Sequence, residues 1–224
     1  IKEFTEVADV YVINTCSVTN MGDRKSRQII RRAKKLNPNA VIAVTGCYAQ
    51  TAPDEVLAIE GVNLVLGTKD RKNIVTLVEE LNTESNINHV SDIMSNHEFE
   101  ELQIKQYSNR TRAFIKIQEG CNQFCSYCII PYARGPVRSR AKDDVVREIK
   151  ELAHNGFKEI ILVGIHVASY GVDLGDTTLE SLIMDVDKID GVERIRLSSI
   201  EPMTLNQEFI DSIKDSKKLC HHFH

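Results

Sequence analysis

Cys121-Asn122-Gln123-Phe124-Cys125-Ser126-Tyr127-Cys128 puts three cysteines within eight residues, spaced C-x3-C-x2-C. Three thiolates in one short loop suit a metal or an iron–sulfur cluster. A 4Fe–4S cube takes four ligands, usually all cysteine. Three local cysteines leave one iron open to a ligand that is not protein. The competing reading is structural zinc, which prefers paired C-x2-C units that sum to four ligands. Here the first gap is three residues and no fourth Cys or His lies nearby, though His166 or Cys220 could complete a site through the fold. Disulfides do not suit a chain of cytosolic character, where six cysteines point to metal or redox chemistry.

The rest of the composition narrows the class. The 224 residues suffice for one large domain or two small ones. Hydrophobic residues make up 42% and charged residues 27%, the balance of a soluble globular protein. A formal net charge of −4 leaves no global basic field, so any nucleic-acid contact must use a local basic patch. No apolar run approaches a membrane span and no signal peptide opens the chain, so a cytoplasmic setting is expected. The sequence opens at Ile1 and closes at Cys220-His221-His222-Phe223-His224 without a final helix; both ends read as cut. The His-rich end follows Leu219 smoothly and reads as the start of a native strand.

Strand and helix signals alternate along the first third. Val10-Tyr11-Val12-Ile13-Asn14, Val41-Ile42-Ala43-Val44-Thr45 and Leu64-Val65-Leu66-Gly67 are short strands. Helices are expected from Thr19 or Asn20 to about Leu36, from Pro53 to Gly61, and from Lys69 to about Leu81. Cys16 and Cys47 each sit two residues past an expected strand, at corresponding C-terminal ends, where parallel α/β sheets place ligands. Taken singly, each is as well explained as a small buried hydrophobe.

Residues 82–108 are polar and read as a linker, with a short strand near His89-Val90. From 109 onward a β-loop-α unit repeats three times and begins a fourth. Its strands are Ala113-Phe114-Ile115-Lys116-Ile117, Glu159-Ile160-Ile161-Leu162-Val163-Gly164 and Arg194-Ile195-Arg196-Leu197-Ser198, with a last one near Cys220. The fold class is therefore α/β: a small parallel α/β domain over 1–81, a linker over 82–108, and the first part of a (β/α) barrel over 109–224.

The longer motifs carry a family likeness. Cys-x3-Cys-x2-Cys after the first barrel strand resembles the radical S-adenosylmethionine (SAM) superfamily. The runs Arg112-Ala113-Phe114-Ile115-Lys116-Ile117-Gln118-Glu119-Gly120-Cys121-Asn122 and Arg134-Gly135-Pro136-Val137-Arg138-Ser139-Arg140 resemble the methylthiotransferases. So do Asn14-Thr15-Cys16-Ser17-Val18-Thr19-Asn20 and Thr45-Gly46-Cys47-Tyr48-Ala49-Gln50. Among the branches, the chain is most similar to the threonylcarbamoyladenosine tRNA methylthiotransferases. The resemblance implies that Cys121, Cys125 and Cys128 hold a 4Fe–4S cluster whose fourth iron binds the amino and carboxylate groups of SAM. Reductive cleavage then yields a 5′-deoxyadenosyl radical, which takes hydrogen from C2 of an adenosine next to the tRNA anticodon. It further implies a second 4Fe–4S cluster for sulfur transfer, with Cys16 and Cys47 as two of three ligands, and a second SAM as methyl donor. The family's third cysteine follows an earlier strand than any in this sequence. Partners implied are tRNA, a one-electron donor such as flavodoxin or ferredoxin, and a sulfur donor, with no membrane.

Other assignments are less specific. Within the resemblance, Tyr127 falls where an aromatic approaches the SAM adenine, and Gly164 and His166 where a backbone segment meets the SAM amino group. Ser198, Ser199 and Glu201 are placed to reach the ribose or carboxylate; strand-end capping explains each of these residues equally well. Seven Lys or Arg fall within residues 24–35. They make a solvated helix face or, around Arg31 and Arg32, a tRNA phosphate contact. Arg134, Arg138 and Arg140 lie just past the cysteine loop and are the stronger candidates for substrate or cofactor anions. Cys220 reads as a core residue, and the histidines near it as barrel-lining or surface groups. The resemblance leaves two rival substrates, isopentenyladenosine in tRNA and an aspartate of a ribosomal protein. A rival of another class is a non-catalytic iron–sulfur or zinc-binding module.

Overall fold

Four parallel strands, paired in the order β1-β2-β3-β4, organise the first half of the chain: β1 (Val10–Thr15), β2 (Val41–Gly46), β3 (Leu64–Leu66) and β4 (Ile87–His89). The structure is a computed structural model that describes residues 4–17, 19–101 and 111–224. Contacts divide it into two units. The first comprises Ile1–Asn96 and Gln123–Gly135; the second comprises His97–Asn122 and Pro136–His224. The end of the linker read from sequence, 102–108, lies outside the described residues.

In the first unit every residue of β2 is buried, because helices cover both faces of the sheet. α1 (Asn20–Leu36) turns Ile30 and Ala33 inward, and Thr19 caps it by accepting from Gly22 N. α2 (Cys47–Thr51) and α3 (Pro53–Leu57) complete that face with Tyr48, Ala49 and Val56. α4 (Ile74–Glu79) packs on the other face against Ala43, Leu64 and Leu66. A 3-10 turn over Arg71–Asn73 precedes α4, so the helix expected from Lys69 is shorter than its sequence pattern. The short α5 (Ile130–Arg134) also belongs to this unit and packs on α2.

The second unit is built on three parallel strands in the order β5-β8-β9. β5 spans Arg112–Lys116, and a two-residue antiparallel ladder follows between β6 (Gln118–Glu119) and β7 (Arg138–Ser139). β8 (Glu159–Val163) and β9 (Arg194–Leu197) continue the sheet, and a single parallel bridge from Ile195 to Leu219 marks the next position. That bridge falls at Leu219, one residue before the strand start expected from sequence.

α6 (Lys142–His154), α7 (Leu179–Asp187) and α8 (Gln207–Ile213) follow β7, β8 and β9 and bury Ile149, Leu182 and Phe209 in one core with Ile115, Ile160 and Ile195. The ends of two of these helices are capped. Gly156 N and Phe157 N close α6 on Ala153 O and Leu152 O, and Thr178 and Ser181 form a capping box on α7.

The charged groups at the strand N-termini serve stability. Arg112, Glu159 and Arg194 align across β5, β8 and β9, and Glu159 takes Arg194 at 3.2 Å and Arg196 at 3.1 Å. Burial alone would raise the Glu159 carboxyl. The bonds from Arg196 and Arg194 outweigh it and hold the group below the ordinary carboxylate value. The C-terminal ends of the same strands are left for a site.

Candidate functional site

In the first unit, the last register pair of β1 and β2 is Thr15 with Gly46, so Cys16 and Cys47 are the next residues on two adjacent parallel strands. Each follows its strand by one residue, because both strands run one residue beyond the sequence reading. The turn into Cys47 is tight. Gly46 has φ +100°, and a Cβ there would stand 2.3 Å from Thr15 O. Thr15 Oγ1 donates to Thr45 O at 2.6 Å and accepts from Ala49 N, which fixes the start of α2 on the end of β1. Cys47 is buried and Cys16 exposed. Arg134 Nε donates to Cys47 Sγ at 3.3 Å.

The three-cysteine segment begins after the β6 ladder. Cys121 is buried, Cys125 exposed and Cys128 half-buried, and all six cysteines are free thiols. Cys128 N donates to Cys125 O at 2.9 Å. Phe124 has φ +46°, a left-handed conformation rarely taken by so bulky a residue, and packs edge-on against Tyr132. Tyr127 is 91% exposed. Among the described residues, no three His, Cys, Asp or Glu side chains are gathered as one metal ion requires. A zinc ion would need four ligands about 2.3 Å or less from one centre. An iron–sulfur cube carries its thiolates on separate irons and makes no such demand. Three free thiols on one loop are the donor chemistry that a 4Fe–4S cluster takes.

The strand ends of the second unit hold the other residues expected around SAM. Gln118, fully buried, accepts from His166 N at 2.9 Å and donates to Glu119 O and Gly120 O. It thus joins the residue before Cys121 to the turn after β8. Gly164 is held small by the same side chain, since a Cβ there would meet Gln118 Oε1 at 2.7 Å. His166 Nδ1 shares a proton position with Ser169 Oγ at 2.6 Å. Its Nε2 is within 3.3 Å of Glu201 Oε2 but outside hydrogen-bond geometry. His166 Nε2 and Ser198 Oγ are thus buried polar atoms without hydrogen-bond partners among the described residues, at the ends of neighbouring strands. Such atoms suit a polar ligand. Ser199 and Glu201 are exposed. Gln118 was not singled out in the sequence, although a Gln inside an apolar strand pattern was the available signal.

The arginines differ from expectation in their surroundings. Arg138 and Arg140 are only 2% and 4% exposed. Arg140 pairs with Glu148, and with Glu101 at 2.9 Å; Arg138 lies 3.8 Å from Glu119 and donates to Pro136 O. Both guanidiniums face carboxylates inside the second unit. Arg31 and Arg32 are exposed on α1, with Arg32 over the Phe4 ring. Arg31 also borders a cleft of about 570 Å³ with Arg27, Tyr48 and Glu55.

Residues 1–67 match the family described as Uncharacterized protein family UPF0004, and residues 115–224 match the Radical SAM superfamily. A Bacillus subtilis protein named threonylcarbamoyladenosine tRNA methylthiotransferase MtaB is 49% identical over all of this chain and 50% of its own length. The protein of the same name from Aquifex aeolicus is 42% identical over all of the chain and 55% of its own length. A Thermoanaerobacter pseudethanolicus protein named tRNA-2-methylthio-N(6)-dimethylallyladenosine synthase is 38% identical over 99% of the chain and 48% of its own length. The chain thus spans about half the length of the curated relatives it matches. Among solved structures, the radical SAM methyltransferase TsrM from Kitasatospora setae, with cobalamin and a [4Fe-4S] cluster bound, superposes with a TM-score of 0.63. It covers 96% of this chain and 49% of its own at 17% identity, a likeness of fold.

Proposed function

For a chain that belongs to the radical SAM superfamily and carries a UPF0004 domain ahead of its radical SAM domain, we propose methylthiolation of tRNA. The product formed is the 2-methylthio derivative of N6-threonylcarbamoyladenosine beside the anticodon. The observation that carries this reading is the 49% identity, over all of the chain, to a threonylcarbamoyladenosine tRNA methylthiotransferase. Two relatives of that name, at 49% and 42% identity, stand above a dimethylallyladenosine synthase at 38%, which favours threonylcarbamoyladenosine over the isopentenyl substrate.

Cys121, Cys125 and Cys128 would hold three irons of a 4Fe–4S cluster and leave the fourth for SAM. When bound, that cluster and SAM supply one-electron reductive cleavage and a 5′-deoxyadenosyl radical. Gln118 fixes the backbone on both sides of the SAM position by holding Gly120 O and His166 N. His166 Nε2 and Ser198 Oγ present polar atoms for the cofactor's amino acid or ribose. Tyr127 offers an exposed ring to the adenine. Cys16 and Cys47 would be two ligands of a second 4Fe–4S cluster for sulfur transfer. Arg31 and Arg32 contribute to tRNA phosphate binding. The reading also calls for a one-electron donor, a sulfur donor and a cytoplasmic setting. No helix among the described residues is long and apolar enough to cross a membrane.

Nucleoside analysis of tRNA tests the substrate. A strain lacking the gene should accumulate N6-threonylcarbamoyladenosine and lose its 2-methylthio derivative. Accumulation of an isopentenyladenosine instead would move the enzyme to the neighbouring branch, and unchanged nucleosides would reject both.

A further inference from the structure

Arg134 sits at the C-terminal end of α5, and Gly135 N closes that helix on Pro131 O at 2.8 Å. The adjacent carbonyl, Ala133 O, accepts from Thr68 Oγ1 at 2.9 Å. Thr68 is itself held by Gln50 of α2, whose Oε1 accepts from Thr68 N at 2.8 Å. These buried bonds lock α5 onto α2 and the end of β3. They leave Arg134 Nε directed at Cys47 Sγ, 3.3 Å away. The two residues are 87 positions apart, so nothing local dictates the contact. A guanidinium keeps its charge at any working pH, and Cys47 is almost completely removed from water.

We infer that Arg134 is a positioning residue for the second cluster: its N–H bond to the Cys47 sulfur orients that ligand and raises the cluster's reduction potential. The inference rests on the reading that Cys16 and Cys47 hold a cluster. Hydrogen bonds to ligand sulfurs and local burial set iron–sulfur potentials, and groups behind the ligands tune the metal. Reduction adds negative charge to the cluster, and an N–H donor with positive charge favours that more negative state. Arg134 lies in the same segment, Gln123–Gly135, as Cys125 and Cys128. One stretch of chain therefore carries ligands proposed for one cluster and the donor to a ligand of the other.

The test uses the intact protein with Cys121, Cys125 and Cys128 changed to Ala, so that only the second site can load. After anaerobic reconstitution with iron and sulfide, EPR-monitored potentiometry reads the midpoint. Arg134→Gln should keep the iron content and shift the midpoint to lower potential. Arg134→Lys, which keeps the charge and loses Nε, should fall between. An unmoved midpoint in Arg134→Gln overturns the inference. If Arg134→Gln holds no iron, Arg134→Lys decides on the same terms: a lower midpoint supports the inference and an unmoved one overturns it. If the parent binds no iron, the second-cluster reading fails and the inference with it.

Discussion

Arg140 would sit idle on a surface, but it is buried between Glu148 and Glu101, and its own carbonyl accepts from Tyr170 OH at 2.9 Å. Burial works against its charge, and the bonds from Glu148 and Glu101 outweigh that and hold the guanidinium more firmly protonated than usual. Arg140→Ala leaves two carboxylates without their shared cation. Breaking a fully buried pair costs about 3–5 kcal/mol; because Glu101 is partly exposed, about 2–3 kcal/mol is expected here. The check is a denaturant midpoint beside tRNA affinity per folded molecule: stability should fall and affinity should hold. Sequence spacing put Arg138 and Arg140 near the chemistry. It could not show that Glu119, Glu148 and Glu101 fold around them, because those partners come from separate segments. The cysteine triplet asks for no such knowledge of the fold, since its three thiols lie within eight residues.

At the scale of elements, the readable pieces were those with an apolar signature. All of β2 is buried, and its Val-Ile-Ala-Val run announced it. The short strand expected near His89-Val90 is β4, Ile87–His89, but its side chains are all exposed. Backbone pairing to β3 holds it, so a polar sequence disguised a member of the sheet as linker. The β6–β7 ladder hid differently, since Gln118, Glu119, Arg138 and Ser139 are buried polar residues that break every hydrophobic period. α2 went unread because it starts without a loop, directly after Gly46. That turn is testable. Gly46→Ala adds strain from φ +100°, about 1–3 kcal/mol, and a 2.3 Å approach to Thr15 O on top of it. Its melting temperature should drop, and iron loading at Cys16 and Cys47 should fall with it. A variant as stable and as well loaded as the parent would show that the turn relaxes.

The whole molecule divides into two units whose membership does not follow the chain linearly. Gln123–Gly135 groups with the first unit while flanked on both sides by the second. A linear reading of domains, 1–81 and 109–224 about a linker, cannot express that excursion, since it arises from α5 packing on α2 and from Thr68 holding Ala133. The excursion matters because it carries Cys125, Cys128 and Arg134. Under the proposed function the intact protein holds two iron–sulfur clusters, one of which binds SAM. Iron and acid-labile sulfide per chain after anaerobic reconstitution, with EPR spectra recorded before and after SAM, test it most directly. About eight irons per chain and a SAM-induced spectral change are predicted, with the change abolished by Cys121→Ala, Cys125→Ala or Cys128→Ala. One zinc per chain, with no response to SAM, would contradict the account.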